Sequence, residues 1–278
     1  MTRYEVAPGF SLNVEVGGRG PAIVLLHGFT GSARGWGEFG RLLEREFTTV
    51  AVDIVGHGNS DCLRAVEHYR MAQGADDLVE AVRLAGFERA TWLGYSMGGR
   101  TALHVAAAHP EAVESLVVIG GSPGLATHDE REARVAADEA LAERIERDGV
   151  PAFVDYWESI PLFDSQKRLP RAIQDSVRAG RLACNPQGLA NSLRGMGTGA
   201  QEPLHERLSI FEFPVLLMAG AEDAKFAEIA REMAAAIQDS RVHIIPEAGH
   251  AAQLEQPDAC AERVRAFVTQ YRGQGVAL

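Results

Sequence analysis

Cysteine is scarce in this chain, and long apolar runs are missing altogether. Only three cysteines occur in 278 residues, Cys62, Cys184 and Cys260. They are odd in number, widely separated and lack metal-ligand spacing, so a disulfide framework is excluded and reduced thiols in a cytoplasmic protein are expected. The first ten residues mix Arg3, Glu5, Pro8 and Gly9, which is not the pattern of a signal peptide. No later stretch is apolar for long enough to span a bilayer. Basic residues are also in deficit: 27 Lys and Arg stand against 38 Asp and Glu, a formal net charge of -11. That field repels phosphate, so neither nucleic acid nor an anionic membrane is an expected partner. A small anionic ligand is not excluded, because a local cluster of arginines outweighs a distant, screened acidic surface.

What is present reads as an ordinary globular α/β chain, 46% hydrophobic and 23% charged. Leu12 to Val16 alternates faces and is followed by Gly17-Gly18, a hairpin signal. Ala22 to Leu26 and Thr48 to Val52 are continuous aliphatic runs, as expected of strands buried on both faces of a parallel sheet. Further strands are expected at Ala90 to Leu93, Leu116 to Ile119, Val215 to Ala219 and Val242 to Ile245. Helical patterns alternate with them at Asp76 to Leu84, Gly98 to Ala108 and Pro257 to Tyr271. That alternation implies a mostly parallel central sheet with helices on both faces. The rhythm breaks between about Ser122 and Glu206, where helical stretches such as Asp129 to Arg147 occur without a convincing strand. A core of residues 1–121 and 207–278 is therefore expected, with residues 122–206 inserted as a helical cap. Such a cap lies over the C-terminal strand ends, the edge at which open α/β sheets bind ligands.

Chemistry concentrates at that edge. Gly94-Tyr95-Ser96-Met97-Gly98 fits G-x-S-x-G between a strand and a helix, the context of a nucleophile elbow in the α/β-hydrolase fold. A serine hydroxyl needs an imidazole to take its proton, and the imidazole needs a carboxylate to fix its tautomer. Asp223 follows one expected strand and His250 the next, in the order Ser, acid, His. Glu222 adjoins Asp223 but is expected to point away. His243 lies within a strand, while His57 and His109 sit in loops without an acid at the expected place. An oxyanion hole is expected from the backbone N–H groups of Phe29, after the second strand, and Met97. Arg100 lies one helical turn after Ser96, where a cation opposes the helix dipole and calls for compensation by an anion. That anion is either a carboxylate ligand or an acid in a nearby loop.

Several segments carry one resemblance. They are the elbow through Gly99-Arg100, Gly121-Ser122-Pro123-Gly124-Leu125, and the cap residues Trp157 through Pro161-Leu162-Phe163. Leu193-Arg194-Gly195-Met196-Gly197-Thr198-Gly199, Asp223-Ala224-Lys225-Phe226 and Ala248-Gly249-His250 complete the set. Together they resemble one family, the 2-succinyl-6-hydroxy-2,4-cyclohexadiene-1-carboxylate synthases of menaquinone biosynthesis. The elbow and histidine segments are common to many hydrolases, whereas the cap segments and Asp-Ala-Lys-Phe are far more specific. The resemblance implies a lyase that needs no cofactor or metal. In it the activated serine takes a proton next to a succinyl ketone, and the enolate expels pyruvate from a small polyanionic cyclohexene carboxylate. It also implies that Arg100, Arg134 and Arg181 bind carboxylates and that Tyr95 and Trp157 line the pocket, with Tyr156 a rival for the place of Trp157. Two other readings share the scaffold: an esterase or carbon–carbon bond hydrolase, and a non-catalytic ligand receptor. Serine at position 96 counts against dehalogenases and epoxide hydrolases, which carry aspartate there.

Overall fold

The computed structural model describes residues 1–272. Its strands are β1 (Thr2–Ala7), β2 (Phe10–Gly18), β3 (Ala22–Leu26), β4 (Thr48–Val52), β5 (Ala90–Tyr95), β6 (Val113–Ile119), β7 (Val215–Gly220) and β8 (Ser240–Ile245). They form one sheet in the order β1-β2-β4-β3-β5-β6-β7-β8. From β4 to β8 every neighbouring pair is parallel, and β1 and β2 extend the sheet antiparallel.

The helices are α1 (Gly37–Leu43), α2 (Met71–Leu84), α3 (Met97–Ala108), α4 (His128–Ser159), α5 (Arg171–Leu182), α6 (Pro186–Met196), α7 (Ala224–Ala236), α8 (Ala252–Glu255) and α9 (Pro257–Arg272). Alternation along β3 shows how they cover the sheet. Val24 and Leu26 join one buried cluster with residues of α2, α3 and α7, while Ile23 and Leu25 join another with residues of α1 and α9. Cover on both faces makes β3 apolar at every position and β4 apolar from Val50 to Val52, and both strands keep the expected bounds.

Two differences from expectation concern the sheet edge. Gly17-Gly18 makes no hairpin: both glycines are still in β2, pairing with Thr49 and Thr48 of β4. The tight turn lies one strand earlier, where Gly9 (φ 73°) joins β1 to β2, and β1 was not anticipated at all.

Between β6 and β7 run α4, α5 and α6, with a third apolar cluster of their own built on Ile145, Phe153, Val154 and Leu189. The Asp129 to Arg147 pattern is the first part of α4. Gly149 (φ 81°, ψ 169°) interrupts the helical backbone, and Pro151 restarts it in a second segment ending at Ser159. Phe29, in the loop after β3, and Trp157 both pack on this cluster, so the insertion sits against the sheet edge that carries the elbow.

Candidate active site

The elbow is built from glycines because backbone passes where a side chain would be. A Cβ on Gly94 would lie 2.1 Å from the Gly98 carbonyl oxygen, and one on Gly98 would lie 1.9 Å from the Leu26 oxygen. Between them Ser96 takes φ 51°, ψ -110°, a left-handed conformation that L side chains rarely adopt. The Ser96 N–H donates to Ile119 O at 2.8 Å, and its carbonyl accepts from the Arg100 N–H, so both flanks hold the strained residue.

Strands β7 and β8 bring the partners. His250 Nε2 lies 2.9 Å from Ser96 Oγ, and His250 Nδ1 lies 2.7 Å from Asp223 Oδ2. Asp223 can only accept, so the proton on the ring sits at Nδ1 and the lone pair of Nε2 faces the serine hydroxyl. The other carboxylate oxygen of Asp223 caps α7 by accepting from the Phe226 N–H at 3.3 Å. Glu222 turns away and binds Arg168, both oxygens 2.7 Å from one guanidinium nitrogen. Of the other histidines, His109 pairs with Asp76 at 2.7 Å and His243 lies in β8.

Sequence reasoning missed a further acid. Glu255 accepts from the N–H groups of Gly249 (2.7 Å) and Ala251 (3.2 Å), holding the chain on both sides of His250. It acts through backbone five residues away, and only its spacing after His250 could have signalled it.

Phe29 occupies a turn closed by the Gly31 N–H to Gly28 O bond, with Thr30 at φ 66°. Two neighbours fix that loop. His27 donates from Nδ1 to Gly28 O at 2.8 Å and accepts the Ile54 N–H at Nε2. Asp53 accepts from Asn13 Nδ2 and from the N–H groups of Ala33 and Asn59. Burial lowers the pKa of His27, and burial followed by the His27 charge drives His57 down to about 3, so both rings are neutral near pH 7. Met97 is the first residue of α3, a position whose N–H no intrahelical carbonyl takes.

Around the triad the arginines form two groups. Arg100 donates from Nη1 to Met196 O at 2.7 Å and to Gln201 Oε1. Burial, then the charge of Arg134, lowers its pKa to about 10, with Asp138 opposing. Arg134 itself bonds Asp138 at 2.8 Å, and its side chain is 44% exposed. Arg181 stands in the second group, buried, with its guanidinium 4.9 Å over the Phe163 ring. It donates to Gln166 (3.0 Å) and Glu158 (3.2 Å). Arg100 and Arg134 therefore share a neighbour in Asp138, and Arg181 does not.

The two aromatics at 156 and 157 are placed differently. The Trp157 ring lies 5.5 Å from each of Phe29, Phe153 and Phe163, and its buried Nε1 has no hydrogen-bond partner. Tyr156 is 39% exposed, beneath Arg144. Tyr95 packs 5.4 Å from the His250 ring, and burial raises its pKa, so its hydroxyl stays protonated at neutral pH. A cavity of about 210 Å³ between α4 and α5 is walled by Phe163 and Arg181. A larger depression, about 580 Å³, lies along α4 near His128 and Val135, and no triad residue lines it. Among the described residues, no group of three or more His, Cys, Asp or Glu is placed to hold a metal ion.

A serine on a strand–helix elbow, followed by an acid and a histidine at later parallel-strand ends, defines the class. The chain belongs to the alpha/beta hydrolase fold family, whose family model matches residues 21–257. Within that class, a relative from Bacillus subtilis (strain 168), provisionally named 2-succinyl-6-hydroxy-2,4-cyclohexadiene-1-carboxylate synthase, is 42% identical over 89% of this chain and 90% of its own. A synthase of the same name from Enterobacter sp. (strain 638) is 33% identical over 87% of this chain and 89% of its own. The solved structure of MenH from S. aureus superposes with a TM-score of 0.88 at 30% identity, covering 94% of this chain and 98% of that one. The chain belongs to the 2-succinyl-6-hydroxy-2,4-cyclohexadiene-1-carboxylate synthase family.

Proposed function

We propose that this chain is the pyruvate-eliminating lyase of menaquinone biosynthesis, acting on 2-succinyl-5-enolpyruvyl-6-hydroxy-3-cyclohexene-1-carboxylate, with Ser96, His250 and Asp223 as its catalytic residues. The observation that carries the proposal is the unbroken hydrogen-bond chain Asp223–His250–Ser96, with a half-buried arginine, Arg100, one turn after the serine and no carboxylate on it. Ser96 Oγ takes the proton from the ring carbon next to the succinyl ketone as its own proton passes to His250 Nε2. The electron pair of that C–H bond moves into the ketone as an enolate, and Asp223 stabilises the imidazolium that forms. The N–H groups of Phe29 and Met97 are the donors for the enolate oxygen. The enolate then re-forms the ketone and pushes out the enolpyruvyl oxygen. A double bond forms between the former C–H carbon and its ring neighbour, and the existing ring double bond shifts one position toward the carbon bearing the enolpyruvyl oxygen. That C–O bond breaks, and the departing enolate takes up a proton to become pyruvate.

A substrate with several carboxylates needs cations, and the half-buried Arg100, the partly exposed Arg134 and the buried Arg181 supply them, with Tyr95 and Trp157 lining the pocket. The unpartnered Trp157 Nε1 supports its role as a donor to substrate. Residues 122–206 act as the cap that closes over the strand ends. The three unbridged cysteines fit a cytoplasmic enzyme.

The test is incubation with the enolpyruvyl precursor, following pyruvate through a coupled reductase. Release by the wild type that is lost in Ser96→Ala supports the lyase. Efficient hydrolysis of p-nitrophenyl acetate with no pyruvate released transfers the site to the hydrolase reading, and no turnover of either leaves a ligand receptor.

A further inference from the structure

We infer that Gln201 is a positioning residue that holds the Arg100 guanidinium in place while leaving its charge free for a substrate carboxylate. The inference rests on the proposed reading of Arg100 as a carboxylate binder. It also explains a segment to which that reading gives no task, the glycine-rich run from Leu193 to Gly199.

The segment folds as it does because its glycines admit close neighbours. A Cβ on Gly195 would lie 2.5 Å from the Tyr69 side chain, one on Gly197 2.5 Å from Asp138 Oδ2, and one on Gly199 3.0 Å from Arg134 Cβ. After α6 the chain turns through Gly197, whose carbonyl accepts the N–H groups of Ala200 and Gln201. That turn delivers two oxygens to Arg100: the carbonyl of Met196 and the side-chain oxygen of Gln201, both on Nη1. A guanidinium only donates, so the Gln201 atom facing it is the carbonyl oxygen and the orientation of the amide is fixed.

The acceptors are neutral, and that is the point. Among the described residues no carboxylate lies within ion-pairing distance of Arg100, whereas Arg134, which shares its surroundings, has Asp138. Two neutral oxygens fix one guanidinium nitrogen without cancelling the charge. A glutamate at 201 has the same length and shape, but it would pair with Arg100 and compete with any incoming anion. Gln201 is 2% exposed, and its Nε2 has no partner, so burial adds a second uncompensated donor to the neighbourhood. Solvation alone would not place an amide there.

The experiment uses the full chain and five proteins: wild type, Gln201→Glu, Gln201→Met, Arg100→Ala and the double variant Arg100→Ala/Gln201→Glu, each first checked for a cooperative thermal transition. Affinity for 2-succinylbenzoate, an aromatic probe carrying a succinyl group and a neighbouring carboxylate, is measured by calorimetry, and KM and kcat for the precursor by pyruvate release. Gln201→Glu is expected to weaken probe binding and raise KM at least tenfold, with a smaller change in kcat. Gln201→Met, which frees the guanidinium without neutralising it, should fall between. In the double variant Arg100→Ala/Gln201→Glu, binding should be no weaker than in Arg100→Ala alone. Wild-type affinity in Gln201→Glu, or losses that add in the double variant, overturn the inference while pyruvate release leaves the lyase standing. Failure of the wild type to release pyruvate, with probe binding still lost in Gln201→Glu, removes the lyase and keeps the inference. A wild type that does neither removes both.

Discussion

Asp223→Asn is the most informative single change, because the surrounding bonds dictate which way the new amide faces. Asp223 Oδ1 accepts from the Phe226 N–H at the start of α7. Only an oxygen can fill that role, so an asparagine keeps its carbonyl there and turns its NH2 toward His250 Nδ1, 2.7 Å from the present Oδ2. The NH2 then donates to Nδ1. That drives the ring proton to Nε2, the atom 2.9 Å from Ser96 Oγ, which can no longer take the serine proton. Asparagine is as good an N-cap as aspartate, so α7 and the fold persist and the loss falls on catalysis. The corresponding change in serine proteases costs roughly 10⁴-fold in kcat. The same tautomer argument gives a loss of that order here, about 5.5 kcal/mol of transition-state stabilisation. The assay is kcat for pyruvate release at pH 7, with thermal melting as the control for folding. Glu222→Gln is the companion: its carboxylate serves Arg168, so its kcat should stay within about threefold of wild type, the scale of losing an exposed ion pair. A loss below about tenfold in Asp223→Asn would refute the tautomer argument, and a large loss in Glu222→Gln would shift the acid to that residue.

Other expectations follow from the same geometry. Gly98→Ala would set a methyl 1.9 Å from the Leu26 carbonyl oxygen, so the elbow or the loop bearing Phe29 must move. A stability loss of about 1–3 kcal/mol in urea, with a larger loss in kcat, is expected, and unchanged kcat counts against close elbow packing. Trp157→Phe keeps the apolar body and removes the buried N–H, so KM should rise about tenfold or more if that group meets a carboxylate, whereas the exposed Tyr156→Phe should not change it. His104, in α3, has its pKa lowered to about 4 by burial and then by the charges of Arg100 and Arg207. The unfolded chain therefore binds more protons below about pH 6.5. The stability contribution is whole above that pH and is lost toward pH 4, at ~1.4 kcal/mol per pH unit. His104→Leu should flatten the decline of unfolding free energy by that slope, and equal slopes in the two proteins would disprove it.

How much of this was legible in the sequence follows from how each feature is held. Strands β3 and β4 were readable to the residue, since burial on both faces calls for the aliphatic and β-branched runs Ala22–Leu26 and Thr48–Val52, which end at His27 and Asp53. The elbow and the triad order were readable because the chemistry demands those residue types after strands. Strand β1 was not, since Thr2–Ala7 is half exposed and owes its conformation to pairing with β2. The Gly17-Gly18 signal misled because glycine inside a strand looks the same as glycine in a turn. At 156/157 the inward placement of Trp157 was present in the spacing: Phe153 and Trp157 stand four apart and share a helix face, with Tyr156 turned about 100° away. The partners of the arginines were beyond reach, because Gln201 meets Arg100 across 101 positions and Glu255 works through backbone N–H groups.

The same reasoning shows where lyase and hydrolase part company on this scaffold. The triad is no guide, because an imidazole-activated serine with an oxyanion hole serves proton abstraction and acyl transfer alike. Selection by charge is different. A guanidinium taken out of water loses solvation worth several kcal/mol, and two neutral hydrogen bonds restore only part of it. An esterase acting on neutral substrates gains nothing from that arrangement and would lose less by giving Arg100 an acid. In a chain of net charge -11, acids are plentiful, and Arg134, Arg178, Arg181 and Arg194 each have one. Arg89, Arg131 and Arg207 also bond neutral oxygens, but the neutral oxygens on Arg100 hold a cation one turn after Ser96, on the helix that opens at the elbow. They make sense if the missing counter-charge arrives with the substrate and leaves with the products. Specificity for a polyanion then lies in the turn after α6, not in the residues that perform the chemistry.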